Sequence, residues 1–212
     1  MIESIKPTYN AALRPLVKPL AAIGVHPNHL TIAGVVLFAV GALFAQQGMW
    51  KISLWPIIIG SLLDGLDGVL ARETGTKSVF GAVLDSSCDR LTEIILLFGV
   101  LGYFLSAPII SFSKASLSLH ERAWGVVFCY SAISMSLMVS YVKARCEAEG
   151  IACNRGILQR PERIILFCFG LLLGPRTMVW ILCAVSILGA LTVIQRFFEA
   201  YKGAKKKFDV LR

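Results

Sequence analysis

From Leu30 to Phe198 the chain is a succession of long apolar runs separated by short polar breaks. A hydrocarbon core of ~30 Å takes ~20 helical residues to cross. Leu30–Gly48, Ile52–Arg72, Val79–Ser106, Arg122–Glu147 and Met178–Phe198 meet that length. Ile164–Gly174 meets it only with Pro161–Arg163 as a polar first turn, a position that suits proline. The expected fold is therefore an all-α integral membrane protein with six transmembrane helices.

Composition agrees. Of 212 residues, 56% are hydrophobic and 16% charged, whereas an ordinary soluble domain has about a quarter charged. The net charge of +8 would raise nucleic-acid binding in a soluble protein. Here the cations fall between apolar runs, which is the pattern of cytoplasmic loops, and no nucleic-acid partner is expected. Of the 21 Lys and Arg, sixteen lie in one set of alternating segments and four in the other, with Arg90 inside a span. The positive-inside rule then puts both termini in the cytoplasm. Trp50, Trp55, Trp124 and Trp180 fall near the opposite ends, where an aromatic belt is expected. Residues 1–24, with three prolines and mixed polarity, read as an amphipathic juxtamembrane segment rather than a secretory signal. Residues 25–201 form the six-helix domain, and 202–212 a basic cytoplasmic tail toward anionic lipid. The six cysteines have no C-x-x-C spacing and read as buried thiols, with a Cys146–Cys153 bridge or metal pair as the alternative.

Acids inside such spans are costly, at roughly 2.5–3.5 kcal/mol for an Asp at a helix centre. Two adjacent spans nevertheless carry four. Asp64, Asp67, Gly68, Ala71 and Arg72 stand at i, i+3, i+4, i+7 and i+8, on one helical face. Gly81, Asp85 and Asp89 stand at i, i+4 and i+8 on the next helix. The turn between them makes the two helices antiparallel neighbours, so their acidic faces converge near the cytoplasmic boundary. Converging carboxylates without useful His or Cys ligands suit Mg²⁺ or Mn²⁺, and two ions would form the familiar clamp for phosphoryl displacement. Gly68 and Gly81 leave room for a nucleotide, and Arg72 can grip a phosphate. A cation or proton transporter could also use intramembrane acids. These, however, cluster at one end of two helices, and residues 52–63 and 91–106 offer almost no polar path onward.

Asp64-x-x-Asp67–Gly68-x-x-Ala71–Arg72, then eight residues, then Gly81-x-x-x-Asp85-x-x-x-Asp89, is similar at every fixed position to the signature of the CDP-alcohol phosphotransferase family. The resemblance implies transfer of a phosphatidyl-type group from a CDP-linked lipid, CDP-diacylglycerol, to an alcohol with release of CMP. It also implies a homodimer, and the cation distribution puts the active site on the cytoplasmic face of the cell (inner) membrane. Asp64, Asp67, Asp85 and Asp89 would hold the metal ions, with Asp89 also the general base. Asp67, Gly68, Ala71, Arg72 and Gly81 would line the CDP site. Pro27–Asn28–His29–Leu30–Thr31 resembles a further family element, so Asn28 and Thr31 either touch the nucleotide or cap a helix.

The acceptor is read from the later helices. Ser140–Tyr141–Val142–Lys143–Ala144–Arg145, with Arg160–Pro161–Glu162–Arg163, resembles the phosphatidylinositol-phosphate synthase branch, and Phe80–Arg90 does too. The resemblance implies inositol phosphate as acceptor, bound by Lys143, Arg145 and Arg160. Cys146 departs from the small residue usual there. Glycerol phosphate, giving phosphatidylglycerophosphate, is the alternative, because both acceptors are anionic. Serine and free inositol fit a basic pocket less well.

Overall fold

The computed structural model describes residues 15–106, 117–153 and 156–210. The first part of the expected juxtamembrane segment, residues 1–14, lies outside the described residues, as do 107–116, 154–155 and 211–212. Among the described residues the fold is all-helical. A short helix over 15–22 precedes six longer ones. These are α1 (Pro27–Gln46), α2 (Trp50–Glu73), α3 (Val79–Leu105), α4 (Leu119–Ala148), α5 (Arg160–Leu173) and α6 (Pro175–Val210).

Four of the six, α1, α2, α4 and α6, are long and apolar enough to cross a membrane. At 27 residues α3 has the length but carries the acids of the site. By contrast, α5 has 14 residues, about 21 Å of rise at ~1.5 Å each, short of a full bilayer core. The outward faces are apolar: Val36, Leu43, Trp55, Ile59, Phe98 and Trp180 are all exposed. A water-soluble bundle would show the reverse pattern, and this one is built for lipid.

Each helix packs most closely against two others, in the order α1, α2, α5, α6, α4, α3 and back to α1. The two acid-bearing helices α2 and α3 thus pack little on each other along their length. Both lean on α1, which small residues admit closely. A Cβ on Gly99 would come within 2.3 Å of the Ala42 carbonyl, and one on Gly34 within 3.3 Å of the Gly60 carbonyl. The α2–α3 contact expected from the short turn is made by the acidic side chains, which converge, while the two backbones pack more closely on α1 than on each other. The apolar core, including Leu97, Val100, Phe104, Cys129, Phe167 and Leu182, fills the bundle away from the acids.

Three features differ from the sequence reading. Trp50 is buried against Tyr103, with ring centroids 4.8 Å apart in edge contact, so it is a core residue and not part of a belt. The basic tail is not separate, because α6 continues through it to Val210. That extension returns to α4, where Lys207 Nζ donates to the Glu149 carbonyl at 2.9 Å. Finally, His26 caps α1 by accepting from the Asn28 amide, so neither Asn28 nor Thr31 is the cap. The cysteines are free thiols, and Cys146 and Cys153 share one small buried cluster.

Candidate active site

Asp64 and Asp67 come from the C-terminal half of α2, and Asp85 and Asp89 from the N-terminal half of α3. The end of α3 is set by Ser78, whose Oγ accepts from the Gly81 amide at 2.9 Å. Carboxylate oxygens of Asp64, Asp67 and Asp85 all lie within 4.8 Å of one another. Thr31 Oγ1 on α1 donates to Asp67 Oδ2 at 2.5 Å, which fixes the orientation of a carboxylate that is almost fully buried.

Asp89 stands outside that trio, one turn along α3, and is tied to it by Arg160. The Arg160 guanidinium pairs with Asp89 Oδ1 and, at 2.8 Å, with Asp64 Oδ2. Its Nε donates to the Asp89 carbonyl and its Nη2 to Thr92 Oγ1, each at 3.2 Å. One turn further along both helices, Glu93 and Arg163 form a bidentate pair at 2.6 and 2.7 Å. That pair is 4% and 1% exposed, so very little of it meets solvent. It locks α5 onto α3 and thereby places Arg160 over the acids.

Two cavities flank the carboxylates. The first, of about 520 Å³, is walled by α1, the end of α2, the Thr76–Ser78 turn and the start of α3. Asn28, Thr31, Asp67, Gly68, Ala71, Arg72 and Gly81, all expected at the nucleotide, line it together with Asp85. A Cβ on Gly81 would sit 3.0 Å from Ser78 Oγ and 3.6 Å from Asn28 Oδ1, narrowing the space where the walls meet. The second cavity, of about 270 Å³, opens between α3, α4, α5 and α6, and Asp89 lines it while Asp67 and Asp85 do not. Its cations are Arg90, Lys143, Arg160, Arg163 and Arg196. Arg163 is neutralised by Glu93, and Lys143 lies 3.7 Å from Glu147.

Of the three expected acceptor residues, Lys143 and Arg160 line this second cavity and Arg145 does not. Arg145 pairs with Glu149 at 2.9 Å on the exposed side. Two residues beyond Lys143 on a helix, it points about 200° away from it. Sequence reasoning counted Arg196 only as a loop cation. In the structure it is 3% exposed, and its Nη1 donates to the Val139 carbonyl across the α4–α6 contact. The signal was available, since an Arg inside an apolar run at Val185–Phe198 is costly unless it faces the interior. The lining residues Thr76–Ser78 were read only as a turn.

The donor set fits a divalent cation. Three carboxylates brought this close repel one another, oxygen-only ligands suit a hard ion, and Thr31 supplies the outer-shell hydrogen bond that orients a ligand.

Comparison with known proteins gives the class. The profile of the CDP-alcohol phosphatidyltransferase family matches residues 24–195, and the chain belongs to that family. It is 35% identical to the archaetidylinositol phosphate synthase of Pyrococcus horikoshii, over 95% of this chain and 97% of that one. It is 33% identical to the phosphatidylinositol phosphate synthase of Mycolicibacterium smegmatis, over 86% and 81%. Among solved structures it resembles the Mycobacterium tuberculosis phosphatidylinositol phosphate synthase with CDP-DAG bound, with a TM-score of 0.75 and 27% identity over 88% and 92% of the two chains. The same enzyme in complex with manganese and citrate gives a TM-score of 0.76 at 28% identity over 88% of each chain.

Proposed function

We propose that the protein is an inositol phosphate-using CDP-alcohol phosphatidyltransferase of the cell (inner) membrane. It would join inositol phosphate to the phosphatidyl group of CDP-diacylglycerol and release CMP. The observation that carries this reading is the pair of separate cavities that reach one carboxylate cluster through different members of it, the first glycine-walled with Arg72 and touching Asp67 and Asp85, the second basic and touching Asp89. Two such cavities suit an in-line displacement, with the leaving nucleotide in one and the attacking hydroxyl in the other.

In this reading Asn28, Thr31, Gly68, Ala71, Arg72 and Gly81 seat the CDP moiety. Asp64, Asp67, Asp85 and Asp89 hold Mg²⁺ or Mn²⁺, two ions as the resemblance implies, which when bound neutralise the phosphate charge that develops. Asp89 takes the proton from the acceptor hydroxyl, a role supported by its being the one of the four that lines the second cavity. Lys143, Arg160 and Arg196 hold the acceptor's phosphate there. The relatives named above share the inositol phosphate headgroup and differ in lipid, phosphatidyl in one and archaetidyl in the other, so the headgroup is the better supported half.

The proposed topology is six membrane-crossing helices with both termini and the active site in the cytoplasm. The cation distribution supports it. A homodimer is taken from the resemblance, and crosslinking in native membranes checks it. The experiment for the chemistry is CMP release from CDP-diacylglycerol and inositol phosphate by the purified protein. Asp89→Asn abolishes release in folded protein if Asp89 is the base. Full activity in that variant would remove Asp89 from the role, and ion flux in liposomes without any CMP release would favour a transporter.

A further inference from the structure

We infer that Arg160 couples the carboxylate site to the acceptor cavity, so that a divalent cation and an anionic acceptor each raise the other's affinity through this one side chain. The inference rests on the reading above and concerns the regulation of the same site.

Arg160 touches both sites. Its Nη1 lies on Asp64 Oδ2 at 2.8 Å and on Asp89 Oδ1, two of the four carboxylates assigned to the metal. The same residue lines the second cavity with Lys143 and Arg196. A divalent cation competes with the guanidinium for those oxygens, and even when it binds through the other oxygen of each carboxylate it weakens the attraction that holds Arg160 there. A cation bound at Asp64 and Asp89 therefore costs Arg160 its charged partners on that side.

The helix cannot follow the side chain. Glu93 and Arg163, buried and bidentate, hold α5 to α3 one turn away. The Arg163 Nη1 contact to the Leu158 carbonyl also holds the segment leading into α5. The response is confined to the Arg160 side chain, which is 22% exposed and has a cavity beside it. Its Nε and Nη2 contacts, to a backbone carbonyl and to Thr92, are with neutral groups that a cation at the acids leaves intact. The guanidinium can pivot about them into the acceptor cavity.

Once there it adds positive charge beside Lys143 and Arg196. That arrangement is unfavourable alone and favourable around a phosphate. Metal at the acids thus prepares the acceptor site, and by linkage the acceptor tightens the metal to the same degree. The order matters for the reaction, because an acceptor that binds well only to the metal-loaded enzyme is not held where no displacement can occur.

The test measures binding without turnover. Mn²⁺ affinity of the full-length protein in nanodiscs is read by electron paramagnetic resonance, without CDP-diacylglycerol, with and without saturating inositol phosphate. In the wild type inositol phosphate tightens Mn²⁺ by about tenfold, within the usual range of coupling between sites. Arg160→Gln binds Mn²⁺ more tightly than wild type when alone, and its coupling falls below about twofold. Arg160→Lys keeps the charge but cannot span both carboxylates and Thr92, and its coupling falls as well. Coupling that survives at full size in both variants would overturn the inference and leave the proposed function standing, since plain attraction between metal and phosphate would then explain it. Failure of inositol phosphate to bind the wild type with or without Mn²⁺ would overturn both.

Discussion

Removing the Glu93 carboxylate should cost the protein far more stability than a change at a surface acid. Glu93 and Arg163 are 4% and 1% exposed, and two parallel hydrogen bonds join them. In Glu93→Gln the guanidinium stays buried with no counter-charge. Breaking a buried pair from one side costs about 3–5 kcal/mol. A carboxamide oxygen still accepts one hydrogen bond, so the lower end, about 3 kcal/mol, is expected. At about 2–4 °C per kcal/mol for a chain of this size, the melting temperature drops by roughly 6–12 °C. The assay is thermal unfolding of wild type and variant in one detergent, followed by tryptophan fluorescence. Removing both charges separates the pair's net value from the cost of orphaning one partner. Glu93→Leu with Arg163→Met stays within about 1–2 kcal/mol of wild type, because a buried pair often does no better than apolar packing. A Glu93→Gln melting temperature within about 2 °C of wild type would refute the reasoning, since it would mean that the pair is hydrated or that Arg163 has another anion.

Further outcomes follow from other contacts. Thr31→Val removes the hydroxyl that orients Asp67, and manganese affinity should fall by about 10–100-fold while the fold is kept. Lys143→Ala should raise the acceptor KM by about tenfold or more through loss of a charged phosphate contact, while Arg145→Ala, off the cavity, leaves it within about twofold; equal effects would put Arg145 back at the acceptor. Burial, together with the neighbouring Cys146 thiol, pushes Cys153 up to about 12. At pH 8 its thiolate is therefore scarce, and iodoacetamide should label it only after unfolding. Rapid labelling of folded protein would show that the Cys146–Cys153 cluster opens.

Much of the site was legible because it violates the pattern around it. Asp64, Asp67, Asp85 and Asp89 stand at helical spacing in apolar runs, and the cost of acids there demands a common purpose. The residues that the resemblance assigns to the nucleotide, drawn from α1, α2 and α3, all line the first cavity. The basic cavity was harder to read because it is assembled from α3, α4, α5 and α6, and no local spacing sets their rotation. Arg196 and Arg145 are both cations near the end of a span, and only the α4–α6 contact separates the interior one from the exposed one. The Glu93–Arg163 pair bridges 70 positions of sequence and depends on α3 facing α5. The tail was read as separate because its lysines stand out, yet Lys and Ala are good helix formers and α6 continues through them.

The most direct measurement offers the purified protein CDP-diacylglycerol and a divalent cation with inositol phosphate, glycerol phosphate, free inositol or serine in separate reactions. CMP release is recorded and the lipid product weighed by mass spectrometry. Release with inositol phosphate, giving phosphatidylinositol phosphate and little product from the others, is the predicted result. Efficient release with glycerol phosphate or an uncharged alcohol, and none with inositol phosphate, would contradict the assignment of the basic cavity.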